Sequence, residues 1–97
     1  MVIVVLVQAD PLPNFRKADL ESASAAMENL LLAATALGLG TCWMTGPLRA
    51  EKMLRTILAI PPDREIVAIT PLGYPDEIPK DQPRLDPALE QKLRWVE

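Results

Sequence analysis

The stretch from Leu20 to Gly46, LESASAAMENLLLAATALGLGTCWMTG, decides how the chain is read. From Leu20 to Leu37 it holds no Gly or Pro, and Ala, Leu, Met and Glu dominate, so it predicts a helix. Asp19 is the expected N-cap, with Ser22 as the alternative, and Gly38 supplies the stop. At about 1.5 Å per residue this helix would be about 27 Å long. In its second half Met27, Leu30, Leu31, Leu32, Ala33, Ala34, Ala36 and Leu37 wrap most of the circumference. Only Glu28, Asn29 and Thr35 interrupt them. A helix that is apolar nearly all round is one that is covered nearly all round. Ninety-seven residues can hardly surround it, so burial against another chain is expected. The plainer alternative is a one-sided core with Ala facing water.

Toward the N-terminus, Val2 to Val7 are β-branched apart from Leu6 and predict a strand. The run does not alternate with polar residues, which suggests a central strand covered on both faces. Asp10-Pro11-Leu12-Pro13-Asn14 reads as loop. Toward the C-terminus, Gly38-Leu39-Gly40 forms a tight turn, Thr41 to Met44 a short strand, and Thr45-Gly46-Pro47 breaks it. A second helix is expected from Leu48 to Leu58, with Met53, Leu54, Ile57 and Leu58 on one face. Glu65 to Leu72 is another strand, whose Pro71 places its end near a sheet edge or a bulge. From Gly73 onward Pro75, Pro79, Pro83 and Pro87 recur among charges, which reads as an extended tail. A short closing helix from Pro87 to Trp95 could follow, with Asp86 as its cap. The expected fold is α/β (α+β): a small sheet of about three strands, a long buried helix and one or two shorter helices, in a single domain over residues 1–97.

Composition narrows the chemistry. Ten Lys+Arg against thirteen Asp+Glu give a net charge of −3, without the basic surplus that phosphate contacts to a nucleic acid require. One cysteine cannot form an internal disulfide, and with no histidine a Cys/His zinc site is excluded. A Ser-His-Asp or Cys-His arrangement within this chain is excluded as well. Met1 to Val7 falls far short of the roughly 20 apolar residues that span a bilayer. No basic residue precedes this run and Asp10-Pro11 follows it, so no signal peptide is read there, and a cytoplasmic protein is the expectation. Gly38-x-Gly40 is only a fragment of a dinucleotide fingerprint, and it follows a helix where that fingerprint must follow a strand.

Several ordered pieces resemble one family. Asn29 to Gly46, NLLLAATALGLGTCWMTG, is similar to the core signature of the FMN-dependent nitroreductase superfamily. Ile60-Pro61-Pro62-Asp63 followed by Glu65-Ile66-Val67-Ala68 resembles a further segment of that family, and Leu72-Gly73-Tyr74-Pro75 resembles its Leu-Gly-Tyr-Pro turn. Pro79-Lys80 and Arg84 resemble the basic tail before its last element. The resemblance covers essentially the whole chain but only the C-terminal half of the family, whose members run near twice this length. It implies a chain that starts halfway through the family's domain. The Arg-x-Ser-x-Arg-type phosphate segment and the Asn-containing loop of the other half do not occur in these residues.

The resemblance implies an intertwined homodimer with FMN at the subunit interface, or a partner chain that supplies the other half. The flavin ring would lie against Trp43, Met44, Thr45 and Gly46, with a backbone N–H at Thr45 or Gly46 directed toward flavin N5 or O4. A donor there stabilises negative charge on the reduced ring. Lys80 and Arg84 would supply charge to the FMN phosphate. The reaction implied is hydride transfer from NAD(P)H through the flavin to a nitroaromatic, quinone or similar acceptor, with no catalytic side chain and no metal. Read without the resemblance, Gly46-Pro47 is only a loop before a helix, Trp43 a core residue, and Lys80 and Arg84 a solvated pair. The alternative function is a non-catalytic truncated remnant that serves as a dimerisation or interaction module.

Overall fold

The computed structural model describes residues 1–80, 82–83, 85–86 and 88–96. Strand β1 (Val2–Gln8) leads into helix α1 (Pro13–Ala36), then strand β2 (Gly40–Thr41). A 3-10 turn at Gly46–Ala50 runs into helix α2 (Glu51–Ile57), and strand β3 (Arg64–Gly73) follows. The three strands form one sheet in the order β1-β3-β2, with β3 antiparallel to both neighbours. The expected α+β class with a three-stranded sheet holds, but the positions within the sheet differ from expectation. Among the described residues β1 pairs with β3 alone and is therefore an edge strand, while β3, the strand that carries Pro71, is central. The irregularity sits elsewhere too: between Val5 and Leu6 the register slips, so that Val67 is the extra residue opposite them.

Helix α1 is longer than predicted because its start is set by Pro13 and not by Asp19 or Ser22. Proline at the first helical position has its φ already in place, and its missing N–H would have had no intrahelical partner. Asp10 Oδ1 accepts the Leu12 N–H at 2.7 Å and turns the chain into the helix. Asp19 and Ser22 thus lie inside it, and the 24 residues extend about 36 Å. The end falls where expected. Gly38 takes φ 73°, Leu39 N–H donates to the Ala34 carbonyl, and Gly38 N–H donates to that of Thr35. This paired closure requires the left-handed residue that glycine accommodates without strain.

Ala23, Met27 and Ala34 are the buried residues of α1 and share one face, which packs across all three strands. Ile66, Ala68, Ile69 and Thr70 of β3 complete the core. Leu20, Leu30 and Leu31 flank this face half-buried, while on the far side Leu32 is 60% exposed, and Leu37, just past the helix end, is 76% exposed. The "long buried helix" is thus buried on one side only. Helix α2 is shorter than predicted, because Leu48 to Ala50 belong to the 3-10 turn. Leu54 is half-buried, while Met53, Ile57 and Leu58 of the expected apolar face lie exposed.

The tail after Gly73 is extended as expected. In place of the closing helix there is a 3-10 turn at Glu90–Lys92, where Lys92 Nζ reaches Asp86 Oδ2 at 3.2 Å, and Pro87 lies outside the described residues. Ile78, Leu89 and Trp95 are exposed along it. The radius of gyration, 16.8 Å, exceeds the roughly 12.5 Å of a compact domain of this length.

Candidate functional site

The segment between β2 and the 3-10 turn is set by how it leaves β3. Gly40 and Thr41 face Gly73 and Leu72, and the bridge of Met44 to Ile69 keeps the same register three residues further on. Met44 N–H donates to the Ile69 carbonyl at 2.9 Å. In an antiparallel ladder every second facing pair exchanges hydrogen bonds, so the pair between these points is Cys42 with Pro71. Pro71 has no N–H to give. The Cys42 carbonyl therefore loses its partner, and Thr70 Oγ1 enters the rung that is left, accepting the Cys42 N–H at 3.0 Å and donating to the Pro71 carbonyl at 2.8 Å. The residue is fully buried and both roles of its hydroxyl are filled.

Beyond that anchor the chain turns away from the sheet. Thr45 caps the 3-10 turn with its carbonyl, which accepts the Leu48 N–H at 3.1 Å. Among the described residues neither the Thr45 N–H nor the Gly46 N–H has a hydrogen-bond partner. A Cβ built on Gly46 would meet nothing within 4 Å, so its backbone is open on the side where a side chain would stand. Trp43 keeps part of its ring in solvent and is not a core residue. Four of the six predicted residues, Trp43 to Gly46, thus form one contiguous segment with two unpartnered donors.

Lys80 stands apart from it in sequence and is exposed. Its neighbour Pro79 lines an open groove of about 440 Å³ together with Gly40, Cys42, Leu72 and Tyr74. The tail therefore passes the near end of the Trp43–Gly46 segment; no hydrogen bond or ion pair joins Lys80 to it among the described residues. Arg84 lies outside the described residues. A second groove, of about 450 Å³, is lined by Asp10, Pro13, Arg16 and Lys17, and none of the predicted residues reaches it.

Three features escaped the sequence reading. The Thr70 hydroxyl is one, and its only trace was the Thr-Pro pair inside a strand. Arg55 is another: it binds Glu51 at 2.8 Å and donates to the carbonyls of Arg64 and Pro61, tying α2 to the turn that opens β3. The i,i+4 spacing of Glu51 and Arg55 was a readable signal. The third is a two-pronged pair in which Arg16 Nε and its terminal nitrogen each meet a Glu65 carboxylate oxygen at 2.9 Å. Those hydrogen bonds hold the Glu65 carboxyl below its ordinary value, against a smaller opposing effect of burial, and raise the Arg16 guanidinium.

With the geometry in place, the comparisons are decisive about kinship. The sequence profile of the nitroreductase family matches residues 1–74, well over half of the chain. The chain belongs to the nitroreductase family. An Archaeoglobus fulgidus protein that carries the name of an NADH dehydrogenase/NAD(P)H nitroreductase is 39% identical over 77 residues, 75% of this chain and 44% of that protein. A nitroreductase-like family protein from Bacillus cereus superposes with a TM-score of 0.81 at 29% identity, over 99% of this chain and 50% of that one. A family structure from Desulfovibrio desulfuricans, solved in complex with FMN, gives 0.76 at 30% identity over 99% and 55%. The chain spans about half the length of the proteins it matches. Within the family match lie Trp43 to Gly46; Lys80 and Arg84 fall beyond its last residue, Tyr74. Among the described residues no helix is long and apolar enough to cross a membrane.

Proposed function

We propose that this chain supplies the flavin-edge half of an FMN-dependent oxidoreductase of the nitroreductase type. In this reading hydride comes from NAD(P)H and the electrons pass to a nitroaromatic, quinone or similar acceptor. The observation that carries the proposal is the pair of unpartnered backbone donors at Thr45 and Gly46, held just past the Met44–Ile69 bridge, with open space where a Gly46 side chain would stand. An isoalloxazine edge fits such a place: it is flat, and it presents N5 and O4 as acceptors. FMN, when bound, accepts the hydride and hands on electrons; the protein's part is to bind, orient and exclude water. Trp43 and Met44 line the ring, and the Thr45 or Gly46 N–H is offered to N5 or O4 without reorganisation. Lys80, with Arg84, is the proposed charge for the phosphate. The remaining contacts come from a partner chain or from sequence outside these residues. The exposed Ala25, Leu32 and Ala36 side of α1 supports assembly as a homodimer, and use of NAD(P)H goes with a cytoplasmic setting.

The test is a titration of the full-length product of the native locus with FMN, followed by visible absorbance and by protein fluorescence. The expected result is a shifted flavin band, saturation at one FMN per subunit, and bleaching of that band when NAD(P)H is added. A colourless protein that leaves the flavin spectrum unmoved overturns the reading. If that protein is also a stable dimer, the non-catalytic interaction module takes its place.

A further inference from the structure

We propose that Thr70 is a positioning residue for the Trp43–Gly46 segment, its hydroxyl inserted into the one rung that the Cys42–Pro71 pair can still make. The inference rests on the flavin reading above, and it names what sets the donors of that site. The chain meets β3 regularly at Gly40 and Thr41, and again at Met44. Between these points the Cys42–Pro71 pair cannot exchange hydrogen bonds in both directions, because the Pro71 nitrogen carries a ring in place of a proton. The missing proton leaves the Cys42 carbonyl without its partner, so the link from the Cys42 N–H to the Pro71 carbonyl is the one rung this pair can keep, with the backbone bond at Met44 as the next hold on the segment that leads to Thr45 and Gly46.

Thr70 occupies that remaining rung from the preceding residue of the same strand. Its Oγ1 lies 3.0 Å from Cys42 N and 2.8 Å from the Pro71 carbonyl oxygen, so one hydroxyl accepts from one strand and donates to the other residue's carbonyl. Burial fixes it: the side chain is 0% exposed, and water cannot readily substitute. A hydroxyl inserted between the two backbones also takes more room than a direct N–H···O bond. It therefore sets the separation at which the segment leaves the sheet, two residues before the donors. Met44 is then gripped on both sides, by Ile69 across the ladder and by the Thr70 rung behind it. Thr70 touches no flavin in this scheme; it acts through the backbone it holds.

The experiment compares Thr70→Val, which keeps the shape and removes the hydroxyl, with Thr70→Ser, which keeps the hydroxyl, in the full-length protein. Amide hydrogen exchange is read first, without flavin. A change at Cys42 alone is expected of any variant that removes its acceptor, whether or not its N–H then reaches the Pro71 carbonyl directly, so the informative amide is Met44, whose own acceptor is untouched. The expected result is faster exchange at Met44 in Thr70→Val and near-native exchange in Thr70→Ser. With FMN added, the dissociation constant should rise about tenfold in Thr70→Val, the effect of one misplaced hydrogen bond, and stay within about twofold in Thr70→Ser. Unchanged Met44 exchange and unchanged flavin affinity in a folded Thr70→Val protein overturn the proposal. Wild-type protein that binds no FMN overturns the flavin reading instead, and the exchange at Met44 still reports whether Thr70 holds the segment. Should Thr70→Val fail to fold, Thr70→Ala judged against Thr70→Ser by the same two readouts decides the matter.

Discussion

The two sides of α1 both carry apolar residues, and these meet opposite fates. One carries Ala23, Met27 and Ala34 into the sheet, where Met27 loses all contact with water. The other turns Ala25, Leu32 and Ala36 outward, with Leu32 more than half exposed. The difference teaches that hydrophobicity along a helix states how much cover it needs but not which neighbour provides it. A pair of substitutions tests this most severely. Met27→Ala removes a fully buried side chain and should cost about 2–5 kcal/mol in chemical denaturation, whatever the oligomeric state. Leu32→Ser should change the stability of an isolated subunit by no more than about 0.5 kcal/mol, the range for exposed positions. If the outward side is an interface, it should instead weaken self-association about tenfold or more in sedimentation experiments. Equal losses of intrinsic stability from the two variants would show that both sides are core, and the contrast would be gone.

That same contrast marks what could be read in advance. Helix α1, its glycine stop and the two longer strands were legible because their signals are local: propensity, a breaker, a run of β-branched residues. The place of β1 at the sheet edge was not, since strand order depends on partners remote in sequence, and a half-covered edge strand can be as apolar as a central one. The helix start was missed because two prolines in Asp10 to Asn14 look like a loop, yet Pro13 serves as a first helical residue once Asp10 holds the Leu12 N–H. For the candidate site, Trp43 to Gly46 was suggested by family resemblance alone, and its role in binding stays a proposal. That Thr45 and Gly46 have unpartnered N–H groups is a property of backbone geometry, and no residue type announces it. Nor does the sequence show that a threonine hydroxyl is inserted between the Cys42 N–H and the Pro71 carbonyl.

The two helix ends offer a finer form of the comparison. Both close in the same way: Leu39 N–H reaches the Ala34 carbonyl after α1, and Ile60 N–H reaches that of Arg55 after α2. Both need a residue at positive φ, which is Gly38 at 73° in the first and Ala59 at 50° in the second. A Cβ on Gly38 would meet nothing within 4 Å, so Gly38→Ala isolates the backbone penalty, about 1–2 kcal/mol of lost stability. Ala59→Gly should relieve the same strain. Part of the gain is offset by the greater freedom of glycine in the unfolded chain, which leaves a stabilisation of about 0.5–1 kcal/mol. Denaturation midpoints moving in opposite directions would confirm one motif with two degrees of fit; a loss at both sites would mean that Ala59 is held by contacts that glycine lacks.

The smallest effect concerns the ends of the covered side of α1, where Arg16 clasps Glu65 at the opening of β3. Hydrogen bonding to Arg16 lowers the Glu65 pKa below its ordinary 4.5, so the folded state binds that proton less readily than the unfolded one. The sign follows by linkage: the pair's contribution is complete above about pH 4.5, and it fades as pH falls through the lower folded-state value. Arg16 stays charged throughout this range, so the raised value of its guanidinium contributes no slope. Because the arginine is largely solvent-exposed, screening keeps the contribution small. Stability curves of wild type and Glu65→Gln, measured from about pH 7 down to about pH 3, should therefore run parallel near neutrality and converge in acid. Curves that stay parallel across the whole range would mean that the clasp ties α1 to β3 by shape and hydrogen bonding, with no net share from the carboxylate charge.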